Sequence, residues 1–584
     1  MKFSNTYDVF EHYAINKSDL PALTEIKDLD DVSQSETWSY AEFYRLINRT
    51  ARLIQHYSET ERPHCAFLLP QIPQAQFIMW GASAVGAVAP LNPLLHSDAI
   101  ASLLERSETE VLFVPGPESD PELWQKVQSA IRQLPKLKAV ITVGTPAEQG
   151  ASCHYDDVVS DFSDEALPQS VRAKPDDVCA FFHTGGTTGL PKLAIHTHAA
   201  QLAAVEMWNQ SIKDLPEAVT INGLPTFHVA GSLLNGICNF GVGGHVVLPH
   251  PAGYRDAATV QSFWRLIEDY QVNVAFAIPT TLGTLAQLPV NGAKLDSFKC
   301  FVTGGAIVSE SVSRALMENC GRPVFEMYGM TEGCGVLSLP DTHGEPVLRS
   351  SGKPASGSEI RIGDQGAAVG VSGEVQFRGA NLFSGYIGHQ EDPFTADGWL
   401  KTGDLGYLDE EGYLFLTGRA KDLIIRSGHN IDPIVIESCL EKHPAVSMAA
   451  AVGKPDRYAG ELPIVYVELI QGTSVTEAEL IEFAQANIDE RPACPKAVHI
   501  IPELPKTAVG KIFKPDLRTR AIANVLTDEL VAQGIEDSLN VEVSLTKKGV
   551  VNAQVKVEAS LLDQVKSITD ELAQSYKLDV SVSA

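Results

Sequence analysis

Phe182-His183-Thr184-Gly185-Gly186-Thr187-Thr188-Gly189-Leu190-Pro191-Lys192 follows an apolar run, residues 178–182, that reads as a buried strand. Three glycines, three threonines and a lysine crowd into this short span. Glycines let backbone N–H groups turn toward an anion with no Cβ in the way. The hydroxyls and the lysine add donors and positive charge. A strand that runs into such a loop offers a cradle for a polyphosphate. It is not the Walker pattern, because no Gly-Lys-Ser/Thr closes it. A flexible glycine-rich turn is the plainer alternative.

Working outward, three further islands bear on that alternative. The first is Tyr328-Gly329-Met330-Thr331-Glu332-Gly333. The second is Lys401-Thr402-Gly403-Asp404, followed by Gly418-Arg419-Ala420-Lys421-Asp422. The third is Pro505-Lys506-Thr507-Ala508-Val509-Gly510-Lys511. In order and wording, these islands and the glycine-threonine loop resemble the signature set of the adenylate-forming superfamily. That superfamily includes acyl-CoA synthetases, beetle luciferases and nonribosomal adenylation domains. The resemblance spans about residues 37–522.

A chain of 584 residues exceeds a single core, so two or more domains are expected. Apolar content of 44% and charged content of 20% are those of a globular protein. The formal net charge of −28 argues against a nucleic-acid or anionic-lipid partner. The nine cysteines are scattered without a Cys-x-x-Cys pair and read as reduced thiols, not a disulfide framework or zinc site. Residues 1–19 carry no basic start followed by an apolar run, and no uncharged apolar segment reaches spanning length. A cytoplasmic location is therefore expected, and a homodimer is left open.

Helical and strand-like stretches alternate through the first large region, with helices expected at 40–57 and 74–88. Strands are expected at 65–69, 111–114, 139–143, 246–248 and 274–278. The fold class is α/β: a large N-terminal domain of layered sheets, residues 1–418. From 359 to 388 short runs between glycines suggest a small β-barrel-like subdomain, with a hairpin at 404–417. A smaller C-terminal α/β domain, residues 419–527, follows, and the resemblance implies that it is mobile. In it, Thr476 and Glu479 form a capping box opening a helix at 478–488. Residues 528–584 read as strand, strand, helix, strand: an appended module or an extension of the small domain.

The resemblance assigns roles. Thr184, Thr187, Thr188 and Lys192, with the amides of Gly185, Gly186 and Gly189, would hold the β- and γ-phosphates of ATP. Family loops often carry Ser where this chain has Gly185, so one hydroxyl is missing. Glu332, with Thr187, would ligate Mg²⁺, a hard cation that prefers oxygen. Thr331 would donate to the α-phosphate. Glu326, Met327 and Tyr328 would belong to the ATP-binding residues, with Tyr328 stacking on the adenine and Gly304-Gly305-Ala306 against its other face. Asp404 would accept from both ribose hydroxyls, as a carboxylate offers acceptors and no competing donor. Arg419 would add a donor. Lys511 would bridge the substrate carboxylate and the α-phosphate.

His228 is grouped with the catalytic residues beside the acyl pocket, though no proton transfer is required of it and a core or gating histidine fits equally. Val229, Gly231, Asn235, Gly304, Met330 and Cys334 would line the same pocket. His196 and His198 read as structural. Lys421 matches the hinge position, and Ser427-Gly428-His429 would swing in to meet CoA. Many relatives have Gly-Glu-Asn-Ile-x-Pro there. This chain has Gly428-His429-Asn430-Ile431-Asp432-Pro433, with His429 in the place of the glutamate.

The expected function is an acyl-CoA synthetase using ATP, Mg²⁺ and coenzyme A. Its carboxylic acid would be a medium or long fatty chain, or a bulky alicyclic or aromatic acid, since the pocket stretches are apolar. An acyl-AMP ligase loading a carrier-protein pantetheine is the alternative. A luciferase-like oxygenase and a silent nucleotide sensor are more distant readings.

Overall fold

The structure, a computed structural model, describes residues 3–147, 149–184, 191–211, 215–388, 392–507, 510–535, 539–545, 551–576 and 579–583. Two seven-stranded sheets form the large domain. One runs Val324–Glu326, Cys300–Thr303, Val274–Phe276, Val219–Ile221, His245–Leu248, Pro21–Glu25 and Glu36–Ser39, parallel except for the last pair. The other runs Cys153–His154, Ala139–Val143, Val111–Pro115, His64–Phe67, Ala87–Pro90, Val178–His183 and Leu193–Thr197, with only its final pair antiparallel.

The helices Tyr40–Tyr57 and Pro73–Val85 pack on each other and share one apolar core with residues of both sheets, including Phe43, Ile47, Trp80, Phe113 and Phe301. Ser39 caps the first helix with a complete capping box to Glu42. Parallel strands buried on both faces read as continuous apolar runs, as at Val111–Pro115 and Ala139–Val143. The helix expected at 74–88 ends at Val85, and Ala87–Pro90 becomes a strand. A Cβ at the intervening Gly86 would lie 2.0 Å from the Pro63 carbonyl oxygen, so the chain turns tightly there.

The β region between 359 and 419 is a four-stranded antiparallel sheet of Glu359–Ile362, Gly373–Arg378, Leu400–Leu408 and Leu414–Arg419. The hairpin expected at 404–417 supplies its last two strands. Beyond Arg419 the small domain pairs the long hairpin Val446–Asp456 and Gly460–Leu469 with Ile424–Arg426, His429–Ile431 and Ala497–Ile500.

The tail strands Asn540–Leu545, Val551–Lys556 and Asp579–Ser583 form a separate sheet. It packs on the helix Lys514–Ala532, whose Leu526 and Leu530 face the tail while Leu517 and Ala521 face the small domain. One helix thus contributes to both cores. All nine cysteines are free thiols. Among the described residues no helix is long and apolar enough to cross a membrane.

Candidate active site

In open parallel sheets ligands bind at the carboxyl ends of the strands, where the connections splay. Segments leaving 324–326, 300–303, 274–276, 219–221 and 178–183 carry most of the expected site residues. The glycine-threonine loop is carried by two strands of the second sheet. Val178–His183 and Leu193–Thr197 pair antiparallel, and the Thr184 N–H donates to the Lys192 carbonyl at 2.8 Å, closing the base of the loop. Gly185, Gly186, Thr187, Thr188 and Gly189 lie outside the described residues. Lys192 places its Nζ 4.8 Å from the Tyr386 ring centroid. The Tyr386 hydroxyl donates to Glu332.

Glu332 sits in the one-turn helix Thr331–Gly333 and is 7% exposed. His196 Nε2–H donates to the Thr331 carbonyl at 2.8 Å and holds that turn from the core side, a structural role as expected. Burial pushes the Glu332 carboxyl above its usual range, while the Tyr386 bond pulls it back. A phenol adds no counter-charge, so a buried carboxylate here suits a hard dication. Among the described residues no group of three His, Cys, Asp or Glu could hold a metal by itself. A Mg²⁺ ion bound here would take one or two carboxylates and complete its shell with phosphate oxygens and water.

The face built by residues 304–306 and 327–328 is close-packed. A Cβ on Gly304 would come 2.9 Å from the Met327 carbonyl oxygen. Gly305 has φ +83°, and a Cβ there would lie 3.0 Å from Lys511 Cε. Tyr328 is buried and donates its hydroxyl to Asp404 Oδ2 at 2.5 Å. Arg419 Nε–H donates to Asp404 Oδ1 at 3.0 Å, across the paired strands. Asp404 is 8% exposed, and the phenol and the guanidinium orient both of its oxygens. The Glu326 carboxylate turns away from this face. It accepts from the Val308 N–H at 3.4 Å and the Arg349 N–H at 3.2 Å, and burial pushes it up to about 7. Glu326 therefore braces the 304–308 loop.

Lys511 arrives from the small domain directly after Gly510. The Gly510 N–H donates to the Thr507 carbonyl at 2.8 Å, and the Lys511 N–H donates to Thr507 Oγ1 at 3.1 Å. Gly510, at φ +76°, leans on the large domain: a Cβ there would meet Ile278 Cδ1 at 2.3 Å, and Thr280 Oγ1 donates to its carbonyl at 3.4 Å. Burial first, and then Arg419, push the Lys511 ammonium down to about 8, while Asp404 and Glu332 act in the other direction.

Burial, with Lys511 and His183 nearby, pushes His228 down to about 3. It is neutral, and its Nδ1 accepts from the Ala230 N–H at 3.2 Å, leaving the proton on Nε2. A π-helix, Ala230–Ile237, follows, a rare form often found at functional sites. A Cβ on Gly231 would lie 2.2 Å from the Pro225 carbonyl oxygen, so only glycine fits. Val229 is buried, and Asn235 donates to the Ala230 carbonyl at 3.1 Å. Met330 is half-buried and accepts through its carbonyl from the Gly333 N–H at 3.1 Å. Cys334 turns inward, its Sγ 3.5 Å from His196 Nδ1.

Ser427, Gly428 and His429 are not brought to this site. Ser427 (φ +52°) and Gly428 (φ +81°) form the exposed turn between Ile424–Arg426 and His429–Ile431, and His429 pairs with Glu490. Lys421 lies in the short helix Ala420–Asp422, its carbonyl accepting from Arg518 Nη2 at 3.0 Å. Two residues escaped the sequence reading. Tyr386, in Ser384-Gly385-Tyr386, carries no charge or spacing signal of its own. His183 lies within the loop stretch and stacks on Phe227 at 5.9 Å.

A second opening lies between the sheets. It is a cleft of about 390 Å³ lined in part by Gln71, Lys126, Thr226, Phe227, His250 and Arg255. Phe227 links it to His228.

Residues 10–387 match the family model described as AMP-binding enzyme, and residues 435–511 match the AMP-binding enzyme C-terminal domain. The marinolic acid–CoA ligase of Pseudoalteromonas sp. (strain SANK 73390) is 33% identical over 93% of this chain and 85% of its own length. The long-chain-fatty-acid–CoA ligase FadD13 of Mycobacterium tuberculosis (strain ATCC 25618 / H37Rv) is 30% identical over 83% of this chain and 94% of its own. The anthranilate CoA ligase AuaEII, solved in complex with anthranoyl-AMP, superposes with a TM-score of 0.78 at 23% identity. That match covers 89% of this chain and 97% of AuaEII, and at this identity it bears on the fold alone.

Proposed function

From the premise that this chain belongs to the AMP-binding enzyme family of the adenylate-forming superfamily, and is an acid–thiol ligase, we propose that it makes acyl-CoA in two steps through an acyl-AMP. A carboxylate is a poor electrophile, since its oxygen cannot leave and its charge repels nucleophiles. In the first step its oxygen attacks the α-phosphorus of ATP, and the bond to pyrophosphate breaks. In the second, the CoA thiolate attacks the acyl carbon, and AMP leaves with the electron pair of the C–O bond.

The observation that carries this reading is the position of Lys511. A lysine from the small domain stands among Glu332, Asp404 and His228 of the large domain and Arg419 at the boundary. Two anions must meet there, and a desolvated ammonium neutralises charge in the transition state without reorganising. Thr331 and Lys192 add donors along the phosphates. Mg²⁺, held by Glu332 and by Thr187 of the loop, would offset the charge of the triphosphate. The neutral His228 serves as a wall and hydrogen-bond donor between the acyl carbon and the second cleft. We assign that cleft to the pantetheine arm of CoA. The acid is a medium or long fatty chain, or a bulky alicyclic or aromatic acid, in keeping with the apolar stretch after His228 and with the acids named for the relatives.

The test is a panel of carboxylic acids with ATP, Mg²⁺ and CoA, read as AMP and pyrophosphate formed. Acid-dependent AMP formation with free CoA supports the proposal. Pyrophosphate release followed by transfer only to a carrier protein would reassign the acceptor, and no acid-dependent pyrophosphate would end the two-step reading.

A further inference from the structure

A cluster of charges lies where the small domain meets the large one. Its large-domain member is Arg349. This residue has φ +70°, a left-handed conformation that costs a non-glycine residue free energy. Its N–H is tied to Glu326 Oε1 at 3.2 Å, and Glu326 also holds Val308 at the end of the Gly304-Gly305-Ala306 loop. Its guanidinium crosses the boundary, and Nη1–H donates to Ser438 Oγ at 3.1 Å on the helix Pro433–Leu440.

That helix and its ends present three carboxylates, Asp432, Glu437 and Glu441. Glu437 is 8% exposed, pairs with Lys514 Nζ at 2.7 Å and accepts from the Ala451 N–H at 2.8 Å. Glu441 accepts from the Ala449 N–H at 3.4 Å. Asp432 caps the helix at the Ile434 N–H and lies against Gly418, where a Cβ would come 2.7 Å from its Oδ1. Lys514 meets this acidic cluster from within the small domain, and Arg349 supplies further positive charge from across the boundary. Burial drives Asp432 up to about 6 and Glu441 up to about 8, and both Arg349 and Lys514 oppose the rise.

We propose that Arg349 is a positioning residue whose guanidinium holds the small domain in the orientation that keeps Lys511 in the site. This rests on the two-step reading above. A rotation of the small domain would separate Arg349 from Ser438 and from the carboxylates, so its contribution belongs to the first half-reaction. The link through Glu326 ties the same latch to the nucleotide-side loop.

The test uses the full chain with R349M, which keeps an apolar stem, R349K and S438A. ATP–pyrophosphate exchange with the best acid should fall about tenfold or more in R349M, as expected for a lost charge-assisted bond. Thioester formation from supplied acyl-AMP and CoA should hold or rise. R349K and S438A should shift the same ratio less. Deuterium uptake across residues 505–513 should quicken in R349M without ligands. Equal loss in both half-reactions, or unchanged exchange and uptake, overturns the proposal. If the wild-type protein exchanges pyrophosphate with no acid, the two-step reading fails separately, and deuterium uptake in R349M and S438A still decides the latch. Should R349M not fold, S438A carries both measurements.

Discussion

Glu332 and Lys511 put opposite charges into one site and are held there in different ways. Glu332 is fixed within the large domain. Tyr386 holds its carboxylate, His196 holds its turn, and the Gly385 and Ser384 backbone is pinned to Ile195 at 3.0 and 2.9 Å. Lys511 depends on contacts across a boundary: Thr280 to Gly510, Ser311 to the Glu441 carbonyl at 3.5 Å, and Arg349 to Ser438. A buried network inside one core has no alternative arrangement of similar free energy. A thin interface between two bodies does, because relative motion breaks few bonds. On the proposed two-step reading, the anionic frame stays in place while the cation is withdrawn.

The sharpest way to break this comparison is K511A. Pyrophosphate exchange should drop at least ~100-fold, because preorganised charge at the reacting phosphate is lost. Thioester formation from supplied acyl-AMP should stay within a few-fold. Equal losses would show that both charges serve both steps. E332Q should come next, with exchange down by roughly tenfold to 100-fold and partly restored by raised Mg²⁺. If E332Q left the Mg²⁺ dependence unchanged, the carboxylate would not be the metal's anchor.

A pH series sharpens the contrast further. Catalysis needs the Lys511 ammonium, so kcat/KM for adenylation should decline as pH rises through about 8, the value to which burial lowers this lysine. Docking follows the opposite sign. A depressed lysine pKa means that the docked state favours the neutral amine. This contribution is fully present only above the ordinary lysine range and is lost as pH falls through about 8. Glu441 acts the other way. Its raised pKa gives a contribution present below the ordinary carboxylate range and lost as pH climbs through about 8. Deuterium uptake at 505–513, followed from pH 6 to 9 in wild type and Glu441→Gln, separates the two. His228 is neutral throughout this range and should leave no inflection near its usual value. The smallest effect belongs far from the site. T476A removes one side of the capping box and should lower stability by ~1 kcal/mol in thermal unfolding. It should leave both half-reactions unchanged.

Much of the fold was legible along the chain. The stripe at Phe43, Leu46, Ile47 and Ile54 marked the helix Tyr40–Tyr57, and Thr476 with Glu479 marked a capping box whose two bonds are both present. Apolar runs were harder. Residues 74–88 read as one helix because a fully buried segment loses its periodicity, and only the packing of Gly86 against Pro63 shows where helix gives way to strand. The strand expected at 274–278 stops at Phe276 because Pro279 starts a helix at its favoured first position. The tail's elements were readable, but its sharing of the helix Lys514–Ala532 with the small domain was not, since both faces of that helix are apolar.

For the site, the amino-acid order determined which chemical groups are available and in what local geometry. These are a glycine-threonine loop between two strands, a Thr-Glu turn, an aspartate and arginine on neighbouring strands, and a lysine behind a glycine. Only the tertiary structure decided their charge state and their company. It gave Glu332 a phenol from residue 386, Asp404 a tyrosine from residue 328, and Lys511 a pocket walled by the other domain. Ionisation and pairing depend on excluded water and on distances of a few ångströms. Residues fifty or more positions apart acquire both only when the chain packs.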